Sequence, residues 1–484
     1  MKVKYIPHVT QAALAISVSH NDTTDIVGIF QPVLSSAAKI FLPTDINFTE
    51  VTPRWSTYES PSYLAAIKPA TEQDVQAIVT TASSHDIPFL ATGGGHGVKL
   101  GLGTVQNAVN IDLSNLKSID LDLENELITI GSGVENSELY DLLASVGKET
   151  ALTTERCINT VGPTLGGGLG VLYGLRGLLL DSLVSVRLVT ASGDVVTASS
   201  SENPDLFWAI RGAGANFGIV TSATYRIYDQ SNSGKRIMGN FVFSPASNRS
   251  LFELYQSMDE GIPPELQTGI GLGYDHTQHQ PTIFAMMAFT GTAKAAQPYI
   301  DQFLALQPIE ITIETVPWHN RDAPDPEYCQ RGDHYSLYNI GLQRTDPPTL
   351  ESYFNNVTEF SAANPWFDSM LMYERQSPSA VLAVPESRRG VYPWRDTKLN
   401  VNFLTKTPTS DYDTAMDAFI RPARDQFHKV MGYDTMHTYV NEAFGDEGPA
   451  AWYGEHNLPR LSMLKQKWDP SNKFGASAPV PLSV

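Results

Sequence analysis

Three stretches of this chain are too rich in glycine to be ordinary connections, and they restrict what it can fold into. They are ATGGGHGVKLGLG at 91–103, TVGPTLGGGLGVLYGLRG at 160–177 and IRGAGANFGIV at 210–220. Glycine suits a backbone that must take positive φ or approach a ligand closely. Each stretch adjoins a strand-like run, so the three predict backbone loops at the ends of strands, wrapping a large, flat, phosphorylated ligand. The first is not a Rossmann-type dinucleotide fingerprint. Such a loop must open a helix whose N-terminus takes the pyrophosphate, and the VKLGLGTVQNAV that follows here has no helical period. Successive backbone N–H groups can still bind an anion without a helix. Taken alone, the lone imidazole of His96 reads as an incidental residue of a tight turn.

Periodicity places these loops in one unit. YLAAIKPA is strand-like, TEQDVQAIVTTASSHDI opens with Thr71 and Asp74 in capping-box spacing and carries Val75, Ile78 and Val79 on one helical face, and PFLAT is a strand entering the first loop. AVNIDLS and ELITIGSGV alternate as strands. NSELYDLLASVGKE reads as a helix with Asn136 as N-cap and Gly147 as its stop. LVSVRLVT and DVVTAS flank the turn ASGD as a hairpin, and NPDLFWAIRGAG is a helix with Pro204 in its first turn before the strand FGIVTSATYRIY. After the polar hinge SNSGK the strand-like IMGNFVFS, TIFAMMAFTGT and IEITIETVPW alternate with helices such as NRSLFELYQSMDE, which predicts a second, mostly antiparallel sheet covered by helices on one face. Residues 1–57, punctuated by Pro32, Pro43 and Pro53, read as an irregular lead-in with one short helix at most.

At 484 residues the chain is long enough for two domains or more. Its 33 basic against 52 acidic residues give a net charge of −19, which argues against nucleic acid and anionic membrane surfaces as partners and otherwise serves solubility. No apolar run reaches the length of a membrane span. Two cysteines, Cys157 and Cys329, are too few for a zinc cluster and leave room for a single bridge; no metal is expected. Lys2 and Lys4 precede a short apolar stretch broken by Pro7, His8 and Gln11, so secreted and cytoplasmic destinations both stay open, as does the use of the sequons at Asn21, Asn47, Asn248 and Asn356.

The combination AIKPATEQDVQAIV, GGGHG, LGGGLG, GLLLDSLVSVRLVTASGD, NPDLFWAIRGAGANFGIVT, YVNEAFGDE and YGEHNLPRLSMLKQKWDPSNKF resembles the FAD-linked oxidases of the berberine bridge enzyme-like group, in the vanillyl-alcohol oxidase and p-cresol methylhydroxylase (PCMH) superfamily, with wording nearest to fungal members. The resemblance is strong over residues 60–230 and 435–475 and thin between them. It implies an α+β fold: a PCMH-type FAD-binding domain of two α/β subdomains at 58–231, a substrate domain with a large antiparallel sheet backed by helices at 232–434, and a C-terminal segment at 435–484 that returns to the flavin.

The same resemblance implies a set of flavin contacts. His96 stands where the family attaches the 8α-methyl of FAD, a bond that withdraws electron density and raises the flavin potential. Gly93, Gly94, Gly95 and Gly97 would line the pyrophosphate, Gly162, Gly166, Gly167 and Gly168 would pass near the ring and ribityl chain, and Ile219 and Val220 would serve the adenine end. Asn441 and Asn457 match C-terminal positions near the flavin, or cap loops as asparagine often does. Many relatives carry a second bond from a cysteine to flavin C6, but Cys157 lies two residues closer to Gly166 than that pattern places it. The alternatives are a shortened connection, FAD held through His96 alone, a buried free thiol, and a bridge to Cys329.

The implied activity is FAD-dependent oxidation of a small, fairly apolar organic molecule of fungal secondary metabolism. Hydride passes to flavin N5, and dioxygen is the acceptor, giving hydrogen peroxide. An oligosaccharide oxidase and a flavin-retaining cyclase or binding protein without net redox are the alternatives. Tyr439, matching a family tyrosine near the ring, is the first choice for the proton-transfer group. His334, Tyr335, Tyr338, Tyr373 and Glu374 lie on predicted strands whose alternation sends half of them toward the flavin. Where plant relatives carry a catalytic glutamate, this chain has Asn400 and Asn402, which cannot act as bases.

Overall fold

The computed structural model describes residues 22–318 and 329–484; the leader-like stretch and the Asn21 sequon lie outside the described residues. The first sheet holds β1 (Lys39–Phe41), β2 (Tyr63–Lys68), β3 (Phe89–Thr92) and β4 (Ala108–Asp112) in the order β1-β2-β4-β3. Both β2 and β3 run parallel to β4, which is possible because the helix Glu72–Ser84 crosses between them. Thr71 and Asp74 close the expected capping box, and Val75, Ile78 and Val79 pack on Ile67, Val109 and Ile111. The lead-in is more regular than expected. The helix Asp22–Phe30 sends Ile26 and Phe30 into this same core, and β1 adds an antiparallel edge.

The second sheet holds β5 (Ile119–Asp122), β6 (Leu127–Gly131), β8 (Leu183–Val189), β9 (Val195–Ser199) and β10 (Ile219–Arg226), all antiparallel, in the order β5-β6-β10-β8-β9; β7 (Lys148–Glu149) and β11 (Tyr228–Asp229) pair beside it. The helices Asn136–Ser145 and Pro204–Ala213 pack on it. Glu135 and not Asn136 is the N-cap of the former. Asn136 is already helical and turns its amide inward, donating to Thr153 Oγ1 at 2.7 Å and to the Glu155 carbonyl at 2.9 Å.

The third sheet has seven strands, β12 (Lys235–Val242), β13 (Leu266–Asp275), β14 (Gln280–Phe289), β15 (Glu310–Pro317), β16 (His334–Leu342), β17 (Asp368–Gln376) and β18 (Leu399–Thr407), in the order β15-β12-β14-β13-β17-β18-β16. Every pairing is antiparallel. Four helices, Asn248–Ser257, Ala293–Leu304, Pro347–Ala363 and Asp413–Val430, cover one face, where Phe241, Ile270, Leu272, Leu371, Tyr373, Tyr338, Ile340, Val401 and Phe403 form the largest core. The chain then leaves this sheet: Trp452, Tyr453, Leu458, Leu461 and Leu464 pack into the core of the second sheet.

Candidate active site

β3 delivers the first glycine loop, residues 93–99, which runs without regular structure into a single 3-10 turn, Leu100–Thr104. Carbonyls of the loop are held from outside: Arg331 Nη1 donates to the Gly94 carbonyl at 2.7 Å, Arg54 Nη2 to that of Gly97 at 2.6 Å, and the Trp55 amide to that of Gly95 at 3.0 Å. Gly95 has φ +72°, and a Cβ there would come within 2.5 Å of the Pro53 carbonyl oxygen. Among the described residues, the amides of Gly93 to Gly97 donate to no backbone carbonyl. Carbonyls pinned outward and amides left over make a nest for an anion.

His96 lies in this nest with its Nε2 buried and unpartnered among the described residues. Burial, then the positive charge of Arg331, pulls its pKa down to about 4, with Arg54 adding to this and a hydrogen bond to the Cys157 backbone opposing it. The imidazole is therefore neutral at pH 7, the form able to act as a nucleophile. Cys157 itself is bonded to Cys329, S–S 2.03 Å. That corrects the expectation of a flavin contact: a sulfur committed to a disulfide is not available to flavin C6.

The second loop differs from the first. The Asn159 side chain sets its start, donating to the Ser132 and Val134 carbonyls and accepting from the amides of Val161 and Gly162 at 3.1 and 3.3 Å. Gly162 faces open space, where a Cβ would meet nothing within 4 Å. Gly166, in contrast, is filled by protein: a Cβ there would lie 2.0 Å from Asn441 Oδ1. The amides of Gly166 and Gly167 bond within the loop, and that of Gly168 donates to the Tyr439 hydroxyl at 2.9 Å. Gly166 and Gly167 thus make room for the returning C-terminal segment, and Gly168 makes room for Leu179, whose Cβ lies 2.5 Å from where a Cβ would stand. The third loop braces the second through its first half, since the amides of Gly212 and Gly214 both donate to the Leu165 carbonyl. Ile219 and Val220 are buried at the start of β10, in register with Val189 and Leu188 of β8.

The C-terminal segment closes the second loop. The Tyr439 hydroxyl receives the amides of Gly168 and Leu169 and the Asn441 side-chain amide at 2.7 Å, while Asn441 also donates to the Pro163 carbonyl. Burial, with the charge of Glu442, pushes the phenol well above its ordinary range. A hydroxyl so enclosed holds the loop in place, which is a different task from taking a proton. Asn457 donates to the Val391 and Tyr453 carbonyls, the capping alternative.

The face of the third sheet away from its helices carries asparagine and glutamate side chains on β16, β17 and β18 beside apolar residues on β14 and β17. Residues directly opposite in antiparallel strands share a face, so the register puts Met286, Gly269, Glu374, Asn400 and Gly341 in one row, and Phe284, Gly271, Met372, Asn402 and Asn339 in the next. Tyr373 and Tyr338 point into the helix-covered core, and His334 pairs with Asp413 at 2.9 Å near the sheet end. Over the polar rows stands Glu442, which the sequence reading passed over. Its Oε2 accepts from Asn339 Nδ2 at 3.2 Å, and Asn339 also donates to Asn402 at 2.8 Å and accepts the Tyr439 amide at 2.8 Å. Glu442 is deep in the molecule yet retains some solvent access. Burial, then the charge of Glu374, raises its pKa to about 8, against a hydrogen bond from Asn402. The signal in the sequence was an acid beside Asn441 in a stretch otherwise apolar, Val440 before it and Ala443-Phe444 after it, where a carboxyl needs a reason.

Comparison with known proteins places the chain in a family. Residues 63–199 match the FAD binding domain family and residues 438–481 the berberine and berberine-like family. The chain is 60% identical to the FAD-linked oxidoreductase fmqD of Aspergillus fumigatus over 100% of both chains. Its fold is similar to Physcomitrella patens BBE-like 1 (TM-score 0.82, 21% identity, 93% of this chain and 98% of that one) and to the xylooligosaccharide oxidase of Myceliophthora thermophila (TM-score 0.80, 24% identity, 94% and 98%). The chain belongs to the FAD-linked oxidoreductases of the berberine bridge enzyme-like group.

Proposed function

We propose that this enzyme is an oxidase that removes a hydride from a small organic molecule of the kind fungi make as secondary metabolites, uses dioxygen as acceptor, and carries its FAD on His96. The observation that carries the covalent link is the buried Nε2 of His96, a polar atom with no partner on a neutral ring, beside amides that donate to no backbone carbonyl. An orphaned buried nitrogen costs roughly 1–3 kcal/mol unless something outside the chain satisfies it. Bound FAD supplies a two-electron acceptor. The nest of Gly93, Gly94, Gly95 and Gly97 would hold its pyrophosphate, the open side of Gly162 would border the ribityl chain or ring, and the backbone at Ile219 and Val220 would border the adenine end. The substrate would lie against the polar rows of the third sheet, where Met286 and Met372 offer adaptable apolar contact beside asparagine amides.

Mass spectrometry of the denatured protein tests the tether. The mass of FAD is expected on the wild type and on Cys157→Ser and is expected to be lost in His96→Ala; FAD that dissociates from the wild type on denaturation overturns the link. Anaerobic addition of substrate tests the redox step. Bleaching of the flavin absorbance supports hydride removal, and product formed with an unchanged spectrum overturns it.

A further inference from the structure

An oxidation that removes hydride from carbon must also dispose of a proton, and Tyr439 is badly placed to take it. Its hydroxyl already receives two backbone amides and the Asn441 amide under the second loop. Asn400 and Asn402 have no basic atom. On the polar face two carboxyl groups remain, Glu374 on β17 and Glu442 on the returning segment, and the register sets Glu374 directly opposite Asn400. We propose that Glu442 is the proton acceptor of the reaction, oriented by the Asn339–Asn402 pair and kept ready to hold a proton by the facing carboxylate of Glu374. This rests on the oxidase reading given above.

The step balances as follows. In a substrate H–C–X–H, with X oxygen or nitrogen, the C–H bond would break and both its electrons would leave as hydride, for which FAD held by the residues named above would be the two-electron acceptor. The X–H bond breaks with its electrons forming C=X. Its proton goes to a carboxylate oxygen of Glu442 in its ionised form, the minor form below about pH 8, making the O–H. The substrate is oxidised by two electrons, and no further reactant is needed for this half of the cycle.

Three features separate Glu442 from a merely structural acid. Among the described residues its hydrogen bonds come from neutral amides, Asn339 and Asn402, which orient a carboxyl without neutralising it. The charge acting on it is that of Glu374, of like sign, so the pair favours one proton between them, and its pKa stands at about 8. The other titratable groups it acts on are phenols: it pushes up both Tyr439, bound to the second loop, and Tyr392, which packs against Gly167. A structural buried acid is ordinarily paired with a cation, as Asp181 is with Arg395 at 2.8 Å.

The test needs no turnover, so it can fail separately from the oxidase reading. In infrared spectra of the flavin-loaded protein, a protonated-carboxyl C=O band is expected to vanish as pH rises through about 8, and the flavin absorption spectrum is expected to shift over the same range. Glu442→Gln should abolish both changes, and Glu374→Gln should move both to lower pH, by tenfold or more in proton concentration. Asp181→Asn is the control and should leave both unchanged. The proposal is overturned if the wild type lacks the band, if Glu442→Gln retains it, or if the band titrates while the flavin spectrum stays constant, because the carboxyl then does not face the cofactor.

Discussion

At the scale of single residues, the site is controlled by the environment given to two ordinary side chains. His96 is held neutral by burial and two guanidinium groups, and Glu442 is held partly protonated by burial and a second carboxylate. For Glu442 this has a stability cost of known sign. Its pKa of about 8 in the fold lies above the ordinary 4.5, so its contribution is fully present below pH 4.5 and is lost as pH rises through about 8. Glutamine copies the protonated form and does not ionise. Glu442→Gln should therefore melt above the wild type at pH 9 and converge with it near pH 5; a difference that is constant across that range would contradict the assignment. Glu442 was hard to foresee because its partners, Asn339, Asn402 and Glu374, come from three separate strands distant in sequence.

At the scale of elements, the glycine loops divide the labour unevenly. The first exposes amides, the second accommodates protein, and the third braces the second. Two alanine substitutions separate these roles. Gly162→Ala puts a methyl into open space inside a short helix and should leave the unfolding free energy within about 1 kcal/mol of the wild type while lowering FAD content. Gly166→Ala drives a methyl into Asn441 and should cost roughly 1–3 kcal/mol, read by thermal unfolding. Equal FAD loss at equal stability in both would remove the distinction. Much of this architecture was legible beforehand: the capping box at Thr71, the hairpin of β8 and β9 and the antiparallel third sheet all follow from local pattern. The purpose of Gly166 to Gly168 did not, since close approach to a cofactor and close approach to another chain segment leave the same glycine signature.

At the scale of the whole molecule, the described chain passes from the first sheet through the second to the large third sheet and then returns to the second. The returning segment is a structural part of the cofactor domain. Burying Trp452, Tyr453, Leu458 and Leu461 contributes about 1.5–3 kcal/mol each, which together matches the 5–15 kcal/mol net stability typical of a folded domain. Deleting residues 435–484 should therefore leave an insoluble product with no bound FAD, and a soluble, yellow truncated protein would refute this. The disulfide adds a constraint of another kind. Cys157 and Cys329 are 172 residues apart in sequence, so the bond makes a covalent ring of most of the second sheet and half of the third. Cutting one exposed loop inside that ring opens it without dividing the molecule. A protease nick there yields two polypeptides that migrate as one on a gel until a reductant is added, so the enzyme can be clipped internally and still keep its fragments together.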